Sequence, residues 1–165
     1  MRNAPVLVGS GPLYALFDRD DAFNPQARSW FAANRRPLIT NGAVVTEVTH
    51  LLGRWCGVDH QLLFLEFLQQ PGWLVEDLVP DLPRIRQLMD RYRDLPADFT
   101  DASLVALAER LRCTQVATTD QRDSSVYRPA HVRRLANPIP LGLTDPPKAG
   151  PLRSAAGPDG PRARP

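Results

Sequence analysis

Cysteine is scarce, with only Cys56 and Cys113 in 165 residues, and none of the three histidines (His50, His60, His131) lies near either in sequence. Zinc sites need such ligands in tight, recurring pairs, so their spacing here argues against one. With no secretory context, both thiols are expected to be reduced and mostly buried. Long apolar runs are missing too, and nothing approaches the ~20 residues a membrane helix requires. The opening Met1-Arg2-Asn3-Ala4-Pro5 enters a short apolar run at once, without a separate leader core and cleavage site. The expectation is a cytoplasmic protein that does not use the membrane.

Lysine is nearly absent, since nineteen of the twenty basic residues are arginine. The formal charge of +2 also hides an asymmetry. Residues 142–165 carry four of the basic and two of the eighteen acidic residues, which leaves sixteen of each in residues 1–141. The folded part is therefore formally neutral, and a broad basic surface for gripping nucleic acid is missing. Arginine is nevertheless the better phosphate fork, so RNA contact is permitted by this composition and not demanded by it. The 43% hydrophobic and 23% charged fractions are those of an ordinary globular domain.

Pro5-Val6-Leu7-Val8 reads as a short buried strand that Gly9-Ser10-Gly11-Pro12 terminates. Pro12 suits a first helical turn, and Leu13, Leu16 and Phe17 begin its apolar face. Asn24 is placed to cap a second helix with Pro25 at its first position. Leu38-Ile39-Thr40 forms a second strand, followed by a helix with Val45, Val48, Leu51, Leu52 and Trp55 at helical spacing. Asp59 is placed to cap a helix through Leu62, Leu63, Leu65, Phe67 and Leu68, and most of these side chains are expected to pack inward. After the Pro71-Gly72 break, Trp73-Leu74-Val75 is a third strand. Asp81 and Pro83 start a helix carrying Ile85, Leu88, Met89 and Tyr92. Asp98 opens the next, with Leu104, Val105, Leu107, Ala108 and Leu111 inward. Gln115-Val116-Ala117-Thr118-Thr119 is a fourth strand ending at Asp120. This alternation predicts an α/β fold with a parallel sheet covered on both faces. Residues 142–165 hold six prolines and four glycines and little to bury, so a disordered tail is expected outside a domain of residues 1–141.

In such a sheet, function gathers at the carboxyl ends of the strands. Acidic residues fall where that rule would put them: Glu47 after strand two, Asp98 and Asp101 at a helix start, Asp120 at the end of strand four and Asp123 just beyond. Converging carboxylates suit Mg²⁺ or Mn²⁺, which can deprotonate a water and polarise a phosphoryl oxygen. Each acid also has a plainer role open to it. Asp98 can cap its helix while Asp101 meets the helix dipole, Asp120 can shape an Asx turn, and Glu47 can sit exposed on its helix.

Val6-Leu7-Val8-Gly9-Ser10-Gly11-Pro12-Leu13-Tyr14-Ala15-Leu16 resembles the opening of a PIN domain, whose usual pattern is an apolar strand, Asp, then Thr or Ser. Thr40-Asn41 through Val45-Thr46-Glu47-Val48 resembles the second motif. Leu95-Pro96-Ala97-Asp98-Phe99-Thr100-Asp101-Ala102-Ser103-Leu104-Val105-Ala106-Leu107-Ala108 is similar to the third motif of VapC-like members along its full length. Ala117-Thr118-Thr119-Asp120-Gln121-Arg122-Asp123 is similar to the fourth, and Val126-Tyr127-Arg128 continues in the same manner. The resemblance implies a three-layer α/β/α sandwich with a central parallel sheet of four to five strands. It also implies Mg²⁺- or Mn²⁺-dependent endoribonuclease activity of the VapC toxin type, a VapB-like antitoxin partner, an RNA substrate and a homodimer. Carried over, Glu47, Asp101 and Asp120 become metal-site and catalytic acids, Ser10 a hydroxyl that helps arrange the site, and Asp98 and Asp123 secondary candidates.

One departure stands against those matches. The family's first aspartate falls on Gly9, which has no side chain to coordinate anything. Asp18, the first of the nearby acids Asp18, Asp20 and Asp21, lies roughly 13 Å away along a helix rising about 1.5 Å per residue. The expectation is a retained fold with weak metal binding and impaired cleavage. The alternative is a catalytically inactive PIN-fold protein that binds RNA or an antitoxin. A doubly wound phosphatase would want an aspartyl nucleophile at the end of strand one, where Gly9 stands. Gly9-Ser10-Gly11 is also too short for a dinucleotide-binding fingerprint, because Leu13 and Tyr14 follow where the third glycine is due.

Overall fold

The computed structural model describes residues 4–95, 98–119 and 128–140. The expectations for Asp120, Asp123 and residues 142–165 lie outside the described residues. Strands β1 (Val6–Val8), β2 (Leu38–Asn41), β3 (Trp73–Glu76) and β4 (Val116–Ala117) form one parallel sheet in the order β3-β2-β1-β4. Helices α1 (Ser10–Phe17), α2 (Asn24–Ala33), α3 (Gly42–Trp55), α4 (Val58–Phe67), α5 (Leu82–Arg91) and α6 (Phe99–Leu111) flank it. This is the α/β/α sandwich of the sequence reading. Among the described residues no helix is long and apolar enough to cross a membrane.

The period of two along each strand divides the core. Val6, Val8 and Leu38 pack with Leu13, Val44, Val48, Leu52 and Phe64 from α1, α3 and α4. Leu7, Ile39 and Val116 point the other way, onto Leu107 and Ala108 of α6. A third cluster of Ile85, Leu88, Ala102, Val105 and Ala106 joins α5 to α6. β1 and β2 are buried at every residue; β1 accordingly reads as an unbroken apolar run, whereas β2 passes from Leu38 and Ile39 to the buried polar Thr40 and Asn41. Beyond β4, Ala136 makes a parallel bridge to Gln115, and the Asn137 side chain carries the pairing further. Its Nδ2 donates to the Thr118 carbonyl at 2.8 Å and its Oδ1 accepts from the Thr118 amide at 3.3 Å, so an amide side chain imitates one more rung of a fifth strand.

Four local expectations need correction. Asn24 does not cap α2. It is buried and donates to the Ala15 carbonyl at 2.6 Å, tying α2 to the end of α1. Asp81 makes no cap bond either, because its carboxylate is turned onto Arg110. Asp59 lies in the first turn of α4, whose cap position is Gly57 at φ 93°. The apolar run along α4 mostly faces outward: Phe64 is fully buried, whereas Leu62 and Leu63 are 59% and 53% exposed. Trp55 is likewise exposed, under a cation–π contact from Arg54, while α3 buries Val44, Val48 and Leu52 instead. Trp30 and Phe31 of α2, in contrast, lie against the main core, Phe31 edge-on to Phe67. Cys113 is buried and Cys56 half-buried, both free, and burial raises both thiol pKa values.

Two features of α6 carry stability predictions. Its C-cap, Arg112, sits in the left-handed region at φ 53°, a conformation that costs a residue with a Cβ about 1 kcal/mol. Arg112→Gly is expected to raise the unfolding free energy by about 0.5–1 kcal/mol in urea denaturation. The second is Glu109, whose Oε2 and Oε1 are gripped by Arg84 at 2.6 and 2.9 Å and whose Oε1 also accepts from the Ala130 amide at 2.8 Å. Burial alone would raise the Glu109 pKa, but the Arg84 fork and that amide outweigh it and hold the carboxyl below its ordinary range. A lowered folded pKa means the unfolded chain takes up the proton first, so this stabilisation is complete above the ordinary carboxylate value and is lost as pH falls below it. Unfolding midpoints measured down through that window are expected to fall less steeply for Arg84→Met than for the parent.

Candidate active site

β1 ends in Gly9, whose amide donates to the Ala117 carbonyl at 3.0 Å, and α1 starts at once with Ser10. Ser10 donates a short hydrogen bond from Oγ to Glu47 Oε2 on α3. The chain thus brings two of the expected site residues into direct contact across thirty-seven positions. Both are half-buried, as suits a group that must meet a substrate.

The opposite wall is α6. Asp98 is its cap and accepts from the Asp101 amide at 2.9 Å, so the plainer role weighed for Asp98 is the one it performs. Asp101 lies in the first turn. One turn further on, Leu104 faces Gly9: a Cβ built at position 9 would meet Leu104 Cδ1 at 3.4 Å and the Ala117 carbonyl oxygen at 3.5 Å. Residues three apart share a helix face, so position 9 looks onto the side of α6 that carries Asp101. Gly9 therefore has Ser10, bonded to Glu47, next to it in the chain and Leu104 of α6 with the Ala117 carbonyl facing it, where the carboxyl ends of β1 and β4 meet. Its backbone is extended at φ −84° and ψ 177°, a conformation open to any residue.

The nearby acids do not replace what Gly9 lacks. Asp18 accepts from the Tyr14 hydroxyl at 2.7 Å and from the Asp20 amide at 3.0 Å, at the far end of α1. Asp21 accepts from the Phe23 amide at 2.8 Å. These carboxylates build the turn between α1 and α2. Burial, then the Asp18 carboxylate, pushes the Tyr14 phenol well above its ordinary range, so it stays protonated.

A hard divalent cation needs several oxygen ligands converging on one point. Among the described residues no three His, Cys, Asp or Glu side chains come together so as to hold an ion. Of the candidate acids, the described residues include Glu47, Asp98 and Asp101, and position 9 offers no side-chain donor. Three residues that sequence reasoning left without a role lie directly behind the site: Thr40, Asn41 and Ser103, all fully buried. The signal for Asn41 was present, since an asparagine immediately before a helical run is a cap pattern.

Comparisons with known proteins point one way. The sequence pattern of the PIN domain matches residues 6–129. Ribonuclease VapC26 of Mycobacterium tuberculosis is 25% identical over 125 residues, spanning 75% of this chain and 93% of that protein. Among solved structures, Mycobacterium tuberculosis VapC20, a sarcin-ricin loop cleaving toxin, is similar with a TM-score of 0.69 at 22% identity, over 78% of this chain and 98% of that one. A toxin–antitoxin complex from Klebsiella pneumoniae gives 0.55 at 16% identity, over 73% and 91%.

Proposed function

The chain belongs to the PIN-domain family, and on that premise we propose that it is an endoribonuclease of the VapC toxin type whose cleavage is impaired by Gly9. The observation that carries this reading is the vacancy at position 9. An unstrained backbone and van der Waals room for a Cβ lie between the Ser10–Glu47 pair and the face of α6 bearing Asp101. The fold and the Ser10–Glu47 contact support this reading, in which Gly9 stands where one ligand would be. In this reading Glu47 and Asp101 are site acids, Asp120 is the third, Ser10 orients Glu47, and Asp98 acts through the helix it caps. Mg²⁺ or Mn²⁺ is the cofactor of the intact reaction and would require the donor that Gly9 does not supply.

RNA is the substrate of this reading, a VapB-like antitoxin its protein partner, and a homodimer its assembly. The relatives support the first two by their nature: one is a ribonuclease and another is a toxin–antitoxin complex. A second reading, an inactive PIN fold that binds RNA or an antitoxin, is favoured by Gly9, which offers no side-chain donor where the family's first aspartate falls. Cleavage of a mixed RNA with Mg²⁺ or Mn²⁺, comparing the chain with Gly9→Asp, separates the two. Cutting by the variant supports the nuclease reading, and no cutting by either protein moves the binding reading to the front.

A further inference from the structure

The two helices that carry the site acids are joined underneath by a buried polar relay. Asn41 closes β2 with no exposed surface, and its side chain works in two directions. Oδ1 accepts from the Ala43 and Val44 amides at 3.1 and 3.2 Å, capping α3, the helix of Glu47. Nδ2 donates to Ser103 Oγ at 3.0 Å on α6. Ser103 Oγ in turn donates to the Thr100 carbonyl at 2.6 Å, within the turn that holds Asp101. Beside this relay, Thr40 Oγ1 donates to the Val8 carbonyl at 3.0 Å and fixes β1 immediately before Gly9.

The choice of side chain is informative. Aspartate would cap α3 as well as asparagine does, but it has no hydrogen to give Ser103, whereas a planar amide caps and donates at once. Buried bonds of this kind are strengthened by their surroundings, and losing one leaves an unsatisfied group behind. A pair with one end on each acid-bearing helix leaves little freedom in their spacing.

We propose that Asn41 and Ser103 are positioning residues for RNA cleavage, setting the distance and rotation of α3 against α6 and hence the alignment of Glu47 with Asp101. The kinetic side of this proposal rests on the nuclease reading, and the structural side does not. Ser103→Ala removes the acceptor on α6 and leaves both helix caps, Asn41 and Asp98, in place. In the Gly9→Asp background, kcat is expected to fall about tenfold with KM unchanged, since misplacing reacting groups by a fraction of an ångström costs rate more than binding. In the parent background, amide hydrogen exchange of Ala43 and Val44 is expected to quicken together with that of Asp101 and Ala102. Arg84→Met, which loosens α6 from α5 away from the site, serves as the stability control and should leave kcat unchanged.

A fall in kcat shared equally by Arg84→Met would reduce the pair to a general structural role and overturn the proposal. So would faster exchange confined to α6, with Ala43 and Val44 unmoved, because the two helices would then not be coupled through Asn41. If Gly9→Asp cuts no RNA, the nuclease reading fails, and the exchange result alone decides whether the coupling exists.

Discussion

Gly9→Asp is expected to raise Mg²⁺ or Mn²⁺ affinity and RNA cleavage together, by about 10- to 100-fold, a range that even partners one step removed from a metal command. The backbone at position 9 is extended, so an aspartate enters without strain. Its Cβ would touch Leu104 Cδ1 and the Ala117 carbonyl at ordinary contact distance, and neither neighbour has to move far. The carboxylate would enter beside the Ser10–Glu47 pair, facing Leu104, one turn along α6 from Asp101. The gain has a cost in the absence of metal. Position 9 is buried, and a new carboxylate there loses hydration and meets other acids, both of which disfavour its charged form. The metal-free variant should therefore melt lower than the parent, and saturating Mn²⁺ should raise its melting point more than the parent's. Calorimetric titration with Mn²⁺, melting curves with and without a chelator, and an RNA cleavage assay read all three effects. Unchanged affinity and unchanged cleavage would show that position 9 is not the ligand position it is taken for.

Arg110→Met is expected to be the most damaging single change away from the site, costing about 3 kcal/mol. Arg110 reaches Asp81 through Nε at 2.8 Å and Nη2 at 3.0 Å, and Glu76 through Nη1 at 3.0 Å. Nη2 also donates to the Asp77 carbonyl at 3.3 Å. One guanidinium therefore fastens α6 to the end of β3 and to the 3₁₀ turn of Val79–Asp81. Its own side chain is 30% exposed, which tempers the electrostatic value of the pair, but that of Asp81 is only 4% exposed. Removing the arginine strands a buried carboxylate, the expensive way to break such a pair. For a domain of this size the loss corresponds to roughly 6–12 °C in Tm. The double change Arg110→Met, Asp81→Leu should recover most of it, because neither charge then remains. A double variant as unstable as the single one would place the cost in lost packing of the arginine stem instead.

The sequence disclosed the frame better than its edges. β1 was readable because it is buried on both faces and therefore uninterrupted in apolar character, and β2 from the apolar pair Leu38–Ile39 that opens it. Asp98 was readable as a cap because capping is local and needs only the residues that follow it. Asn24 and Asp81 were misread for the complementary reason. Asp81 sits at the cap position of α5 and Asn24 just inside α2, and tertiary partners, Arg110 and the Ala15 carbonyl, take their side chains. The leucines of α4 show a different limit: an apolar helix looks the same whether its face is covered by its own core or left bare. At the site, Ser10 and Glu47 were named by resemblance and do meet. No spacing rule could have shown that Asn41 reaches Ser103 sixty-two positions away, since that contact exists only once the sheet has placed β2 beside α6.

The strand order has a consequence for how the protein comes into being. β1 is synthesised before the other three strands of the sheet, yet it ends as an inner strand, with Leu7 beside Ile39 on one side and Val116 on the other. Its first neighbour, β2, follows soon after, but the second, β4, is the last of the four strands in chain order. Through most of translation β1 therefore carries an open parallel edge, and closing so long a span is slow. The amide of Gly9 finds its acceptor on Ala117 only when that edge closes. The β4 side of position 9 is therefore the part of this region completed after the helices that flank it have been made.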